Sequence, residues 1–210
     1  MSSFFFICFY MKKYIAHRGI WNEYVKDNSY QALYDGLCNP LYIGIETDIR
    51  VTKDNVFIIY HDPLYNGKLV KNTYYKEMND VCSLDSILKI NTDKIILLEI
   101  KDFNMDVKKL IKLLNKYKRN IMLMSFDTNI IKKIKTLNTK YKLGVLNYII
   151  NSDSDYDFDF ICLLDIISNN FVINSFKKRN IEVLIYGVIN TLEDATYIID
   201  DKKLKDLDKP

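Results

Sequence analysis

The chain has 210 residues, 49% hydrophobic and 27% charged, enough for one domain with a sizeable core. Its formal net charge of +3 is too small to mark a surface that seeks nucleic acid. Glycine and proline are sparse and scattered, so no linker is drawn. The cysteines Cys8, Cys38, Cys82 and Cys162 lack the spacing of a zinc motif, and a chain this long does not need a disulfide framework, so reduced buried thiols are expected.

Residues 1–12 read as an N-terminal extension and residues 13–210 as one domain. Phe4–Met11 (FFFICFYM) is apolar but too short to span a bilayer. It lacks the charged lead and small-residue cleavage site of a signal peptide. It is either an extension packed on the domain or a stretch ahead of a natural start at Met11. The expected location is cytoplasmic, with weak membrane contact as the lesser alternative.

Lys13–Ala16 is a short strand that delivers His17-Arg18-Gly19. Asp27-Asn28-Ser29 offers capping chemistry for a helix over Tyr30–Cys38, which Asn39-Pro40 stops. Strands follow at Leu41–Ile49 and Asn55–Tyr60, joined by a turn at Asp54-Asn55. After an irregular polar segment, Ser83 caps a short helix reaching Lys89. Lys94–Ile100 (KIILLEI) is nearly continuous in apolar residues, as in a strand buried on both faces.

Asp106–Lys118 carries Val107, Leu110, Ile111 and Leu114 on one helical face. A strand at Asn120–Ser125, a lysine-faced helix at Thr128–Leu137 and a strand at Lys142–Leu146 continue the rhythm. Strands at Phe160–Leu164 and Ile181–Tyr186 flank a helix at Asn169–Arg179, and Tyr197–Ile199 is a last short strand. This alternation predicts an α/β fold with parallel strands. About eight strands suit a small TIM (β/α)₈ barrel with reduced helices in its C-terminal half. A doubly wound open sheet is the runner-up. Asn147–Asp159 leaves little room for a helix, and only Thr191–Thr196 is left for the one before the last strand.

The polar residues gather at strand C-terminal ends, where barrel enzymes build their sites. Glu46 and Asp48 are two apart on a strand, so they share a face, and a hard divalent cation is the simplest partner for the pair. Glu99 and Lys101 repeat that spacing. The two histidines, His17 and His61, each end a strand-like run. Arg18 and Lys101 place positive charge on the same rim, which suits a phosphate ligand. A structural ion pair at the rim is the plain alternative for Glu99 and Lys101. Trp21 and Tyr24 are either pocket-lining or packing residues. Asp153, Asp155, Asp157 and Asp159 lack the glycine and distal glutamate of a calcium loop and read as a solvated acidic loop.

IAHRG (15–19), DNS (27–29), IETDIRVTKD (45–54), HD (61–62) and LEIK (98–101), in this order, resemble the glycerophosphodiester phosphodiesterases, a family of metal-dependent TIM-barrel enzymes. SFD (125–127), LGVL (143–146) and YGVIN (186–190) are fainter echoes. The resemblance implies that Glu46, Asp48 and Glu99 hold one divalent cation, Ca²⁺ or Mg²⁺. It implies His17 and His61 as the general acid/base pair, and Arg18 and Lys101 as phosphate contacts. It implies hydrolysis of glycerophosphodiesters to sn-glycerol 3-phosphate and an alcohol. A lipid-directed relative, a lysophospholipase D or sphingomyelinase D-like enzyme acting on a lysophospholipid or similar lipid, and a non-catalytic phosphate-binding module are the rival readings. The chain departs from the family at Asp27, where a glutamate is usual, and in its short segment 62–83, which predicts an open site.

Overall fold

In a computed structural model, which describes residues 12–148, 157–189, 191–192 and 195–207, strand and helix alternate around a closed ring. The N-terminal half runs β1 (Lys13–His17), α1 (Tyr30–Cys38), β2 (Tyr42–Val51) and β3 (Phe57–Ile59). A small hairpin, β4 (Leu64–Tyr65) and β5 (Lys68–Leu69), precedes α2 (Leu84–Leu88), β6 (Ile95–Ile100) and α3 (Val107–Leu114). Then come β7 (Asn120–Ser125), α4 (Thr128–Lys135), β8 (Lys142–Asn147), β9 (Phe160–Leu164) and α5 (Asn170–Lys177). The chain finishes with β10 (Glu182–Tyr186), β11 (Thr196–Ile199) and α6 (Asp201–Leu207).

Eight of these strands pair in parallel in the ring order β1, β2, β6, β7, β8, β9, β10, β11. The ring closes because β1 pairs with both neighbours, placing Ile15 opposite Gly44 on β2 and Ile198 on β11. This is the TIM barrel, and closure excludes the open sheet. β3 folds back antiparallel on β2, from Phe57 opposite Val51 to Ile59 opposite Ile49, which returns the chain from the β2 C-terminal end to the level of Asp48.

Period-two alternation divides each strand between two cores. One set of side chains, including Ile15, Leu97, Met122, Phe160, Leu184 and Ile198, packs together inside the barrel. The alternate set, including Ala16, Ile45, Leu98, Leu123 and Ile161, packs outward on Leu33, Leu110, Ile131 and Phe176 of the helices. Side chains cap the helices as their chemistry dictates: Ser29 accepts from Ala32 N–H, Ser83 from Ser86, Asp106 from Lys109 and Asn169 from Val172. The buried face of α3 is Val107, Leu110, Ile111 and Leu114, the stripe read from the sequence.

The barrel interior is filled by complementary volumes. Gly144 on β8 lacks the side chain that the Phe160 ring displaces, since a Cβ there would lie 2.3 Å from that ring. Gly144→Ala is therefore expected to destabilise by about 1–3 kcal/mol through overpacking. Adding Phe160→Leu should recover part of the loss, as read by denaturant titration. A double variant no more stable than Gly144→Ala would refute this packing argument.

The structure differs from the sequence reading in several places. Residues 191, 192 and 195 are not helical, so the helix expected before the last strand is absent among the described residues, whereas α6 follows β11. The helices expected to reach Lys118 and Leu137 end at Leu114 and Lys135. Segment 62–83 contains the β4–β5 hairpin, whose turn residues Asn66 and Gly67 both take positive φ. Of the thiols, Cys162 is buried, but Cys38 is exposed and Cys82 only partly covered. Cys8 with most of the N-terminal extension, and Asp153 with Asp155, lie outside the described residues. Among the described residues no helix is long and apolar enough to cross a membrane.

Candidate active site

Three adjacent strands deliver the site. In the barrel register His17 on β1 stands opposite Glu46 on β2, and Asp48 stands opposite Glu99 on β6. His17 and Glu99 lie at or next to the C-terminal ends of β1 and β6, and the register brings Glu46 and Asp48, inside the longer β2, to that level. Inward alternation turns Glu46, Asp48 and Glu99 toward one another, and one carboxylate oxygen from each lies within 4.8 Å of the others. All three are buried. A hard cation coordinated at about 2.0–2.6 Å spans oxygens up to roughly 4–5 Å apart, so the donor set fits Mg²⁺ or Ca²⁺ in type and spacing.

Without compensation such a cluster is costly. Burial, then the charges of Asp48 and Glu99, push the Glu46 carboxyl well above the ordinary range. Burial raises Glu99 as well, against the pull of Lys101. Burial also works against ionised Asp48, but Lys101, Arg18 and an Asn28 hydrogen bond outweigh it and hold that carboxyl low. Lys101 Nζ lies 2.7 Å from Glu99 Oε1 and 3.2 Å from Asp48 Oδ1. Glu99 Oε1 is nonetheless shielded from solvent without a well-aligned hydrogen bond, which leaves coordinating capacity at that atom.

Arg18 and Asn28 are held by backbone geometry that few residues adopt. Arg18 has φ 56° and Asn28 φ 55°, both left-handed. Gly19 follows at φ 82°, where a Cβ would stand 2.3 Å from the Ala32 carbonyl, so the HRG turn needs glycine for both dihedral and space. The turn aims Arg18 Nη1 at Asp27 Oδ2, 2.9 Å away, and Nε at Asp48 Oδ2, 3.4 Å away. Asp27 thus retains an anchoring contact to the guanidinium despite its shorter side chain. Asn28 accepts from the Thr47 hydroxyl at 2.6 Å and donates to Asp48 Oδ2 at 2.8 Å, which fixes one carboxylate of the cluster.

The imidazoles flank the cluster. His17 Nε2 is 3.8 Å from Glu46 Oε2. His61 follows β3, tied to β2 through Tyr60 N–H to the Asp48 carbonyl and through Arg50 Nε–H to its own carbonyl. Its Nδ1 is 2.8 Å from Asp62 Oδ1. The side chains of His17 and His61 remain 35% and 39% exposed, consistent with the open site expected. Arg50 is itself fixed by Asp102 at 2.6 Å, a structural pair behind the site.

The structure brings together every residue proposed from the sequence: His17, Arg18, Glu46, Asp48, His61, Glu99 and Lys101. Ser125 takes a structural part, donating to the Ile100 carbonyl. Tyr24 is 88% exposed and so is no packing residue, whereas Trp21 reaches Asp200. Asp200, which directly follows the last strand read from the sequence, has no site role in that reading. Its Oδ1 lies 2.7 Å from His17 Nδ1. The signal for it was an acidic residue two positions beyond inward-facing Ile198.

The sequence pattern of the glycerophosphoryl diester phosphodiesterase family matches residues 17–80, the stretch that holds His17, Glu46, Asp48 and His61. No curated protein matches the sequence. Among solved structures, a glycerophosphodiester phosphodiesterase from Thermotoga maritima superposes with a TM-score of 0.76 at 19% identity, over 95% of this chain and 99% of that one. An Oleispira antarctica phosphodiesterase in complex with sn-glycerol-3-phosphate gives 0.79 at 14% identity, over 94% and 97%. A glycerophosphodiester phosphodiesterase from Parabacteroides distasonis gives 0.74 at 20% identity, over 93% and 96%. At these identities the superpositions speak for the fold, while the pattern speaks for the segment carrying the site. By that segment and by its barrel, the chain resembles the glycerophosphoryl diester phosphodiesterases, a family of phosphodiester hydrolases.

Proposed function

We propose that this protein is a divalent-metal-dependent phosphodiesterase that cleaves glycerophosphodiesters to sn-glycerol 3-phosphate and an alcohol. The observation that carries this reading is the convergence of three buried carboxylates, two imidazoles and two cationic side chains at one barrel mouth. Glu46, Asp48 and Glu99 would hold the cation, Ca²⁺ or Mg²⁺. When bound, it supplies Lewis-acid charge to the phosphoryl oxygens. Arg18 and Lys101 orient the phosphate and offset negative charge growing on its oxygens. One imidazole takes the proton of the nucleophile as the new P–O bond forms, the nucleophile being water or a neighbouring substrate hydroxyl whose cyclic phosphate product water then opens. The other gives a proton to the departing alkoxide oxygen as the old P–O bond breaks, and such assistance is worth roughly 10²–10⁴-fold.

A lipid-directed variant of this reading has one observation in its favour. Tyr24, Phe103, Tyr148 and Ile189 are exposed on segments that leave C-terminal strand ends, around the mouth of the site. An acyl chain beside the scissile phosphate would find apolar surface there.

Glycerophosphocholine and lysophosphatidylcholine, assayed side by side, test both. The expected result is phosphodiester cleavage that is lost on chelation with EDTA and restored by Ca²⁺ or Mg²⁺. Preference for the lysolipid would select the lipid-directed variant. Cleavage indifferent to chelation would refute the proposed use of the carboxylate cluster.

A further inference from the structure

We infer that Asp200 is a positioning residue that fixes the tautomer of His17, so that Nε2 is the nitrogen left free to work at the carboxylate cluster. This rests on the phosphodiesterase reading for its catalytic consequence, but its structural content stands separately.

The argument begins with the carboxylate. Asp200 Oδ1 lies 2.7 Å from His17 Nδ1, a charge-assisted hydrogen-bond distance. Burial opposes the ionised form of Asp200, but the contact with His17, the charge of Arg18 and a hydrogen bond from Trp21 outweigh it and keep the carboxyl below its ordinary range. An ionised carboxylate only accepts. The shared proton must therefore sit on Nδ1, and in the neutral ring Nε2 must carry the lone pair. Nε2 is also the nitrogen nearer the metal-type cluster, 3.8 Å from Glu46 Oε2. The hydrogen bond orients the ring as well as choosing its tautomer.

The second histidine repeats the arrangement. His61 Nδ1 lies 2.8 Å from Asp62 Oδ1, leaving its Nε2 free as well. The two anchors differ in firmness. Asp62 is the sequence neighbour of His61 and its side chain is 67% exposed, while that of Asp200 is 39% exposed. Asp200 also ties β11 to β1 across the seam that closes the barrel. His17 is accordingly the more rigidly presented imidazole.

Nitrogen-15 NMR of histidine-labelled protein at about pH 8, above the ordinary imidazole value, reads the tautomers directly. With two histidines in the chain, His61→Ala assigns the spectrum. The wild type should show His17 protonated on Nδ1. Asp200→Asn should mix or reverse that tautomer, because the amide can donate as well as accept. It should also lower kcat by about 10–100-fold with KM little changed, the scale of losing a partner that orients a functional imidazole. Asp200→Glu should restore part of both.

A wild-type His17 protonated on Nε2 would overturn the inference without reference to activity. So would an Asp200→Asn variant with unchanged tautomer and kcat, or one that loses only thermal stability. If wild-type protein cleaved no phosphodiester, the phosphodiesterase reading would fail while the tautomer result still decided the role of Asp200.

Discussion

The Glu46→Gln variant is expected to bind Ca²⁺ and Mg²⁺ more weakly than wild type by more than the roughly 10–100-fold that loss of an outer-shell partner costs, and to lose turnover with it. Glu46 is central to the cluster. It is 1% exposed, it faces the charges of both Asp48 and Glu99, and its oxygen lies 3.8 Å from His17. The amide preserves the shape and one oxygen but removes the charge that a hard cation needs.

A second consequence has a fixed sign. The folded-state value of the Glu46 carboxyl is raised, by burial first and neighbouring charge second. In chelated protein the folded state therefore holds its proton more tightly than the unfolded state does. Stability tied to this group is complete below the ordinary carboxyl value and falls as pH rises through the raised one. Chelated wild type should thus lose thermal stability from about pH 4.5 upward, and Glu46→Gln should lose less over the same range. Calorimetric titration with each cation and melts in EDTA give both readings. Unchanged metal affinity would refute Glu46 as a ligand, and a chelated variant losing as much stability as wild type would refute the electrostatic account.

The legible part of the site was the part carried by three strands adjacent in the ring. Glu46 and Asp48 declared themselves by strand periodicity, and Glu99 with Lys101 by ending an apolar run. Parallel pairing of β1, β2 and β6 then brings their ends to one level. His61 was legible because a short turn returns β3 along β2. The illegible part depends on closure. Asp200 is 183 residues from His17, and they meet only because the last strand pairs with the first in a particular register. Sequence alternation over Tyr197–Ile199 points inward at Ile198 and so to Asp200, yet a four-residue strand gives a weak periodic signal. Asn28 was visible as capping chemistry, but Ser29 is the cap, and Asn28 serves Asp48 instead. Helix lengths were overread because Tyr117 and Leu137 continue the apolar face and still pack on the core, while the backbone there has already tightened into turns, with Tyr117 N–H on the Leu114 carbonyl and Leu137 N–H on that of Ile134.

The two imidazoles should be separable by the leaving group. His17→Ala and His61→Ala are each expected to lower kcat by roughly 10²–10⁴-fold on glycerophosphocholine, whose alkoxide leaving group needs a proton. Neither substitution removes a member of the carboxylate cluster, so metal affinity should stay close to wild type. On bis(p-nitrophenyl) phosphate the leaving group departs as a stable phenolate and needs little protonation. The variant lacking the general acid should then recover most of its lost rate, while the variant lacking the general base should not. His17 is held by the less exposed of the two carboxylates and lies 3.8 Å from Glu46, beside the cluster where a nucleophile would be activated, whereas His61 is held by the more exposed Asp62. Recovery is therefore expected for His61→Ala. The double variant should lose less than the product of the single losses, because a site that has lost one proton transfer gains less from the other. Recovery by His17→Ala instead would exchange the two roles, and losses below about threefold for both variants would remove acid/base catalysis from the mechanism.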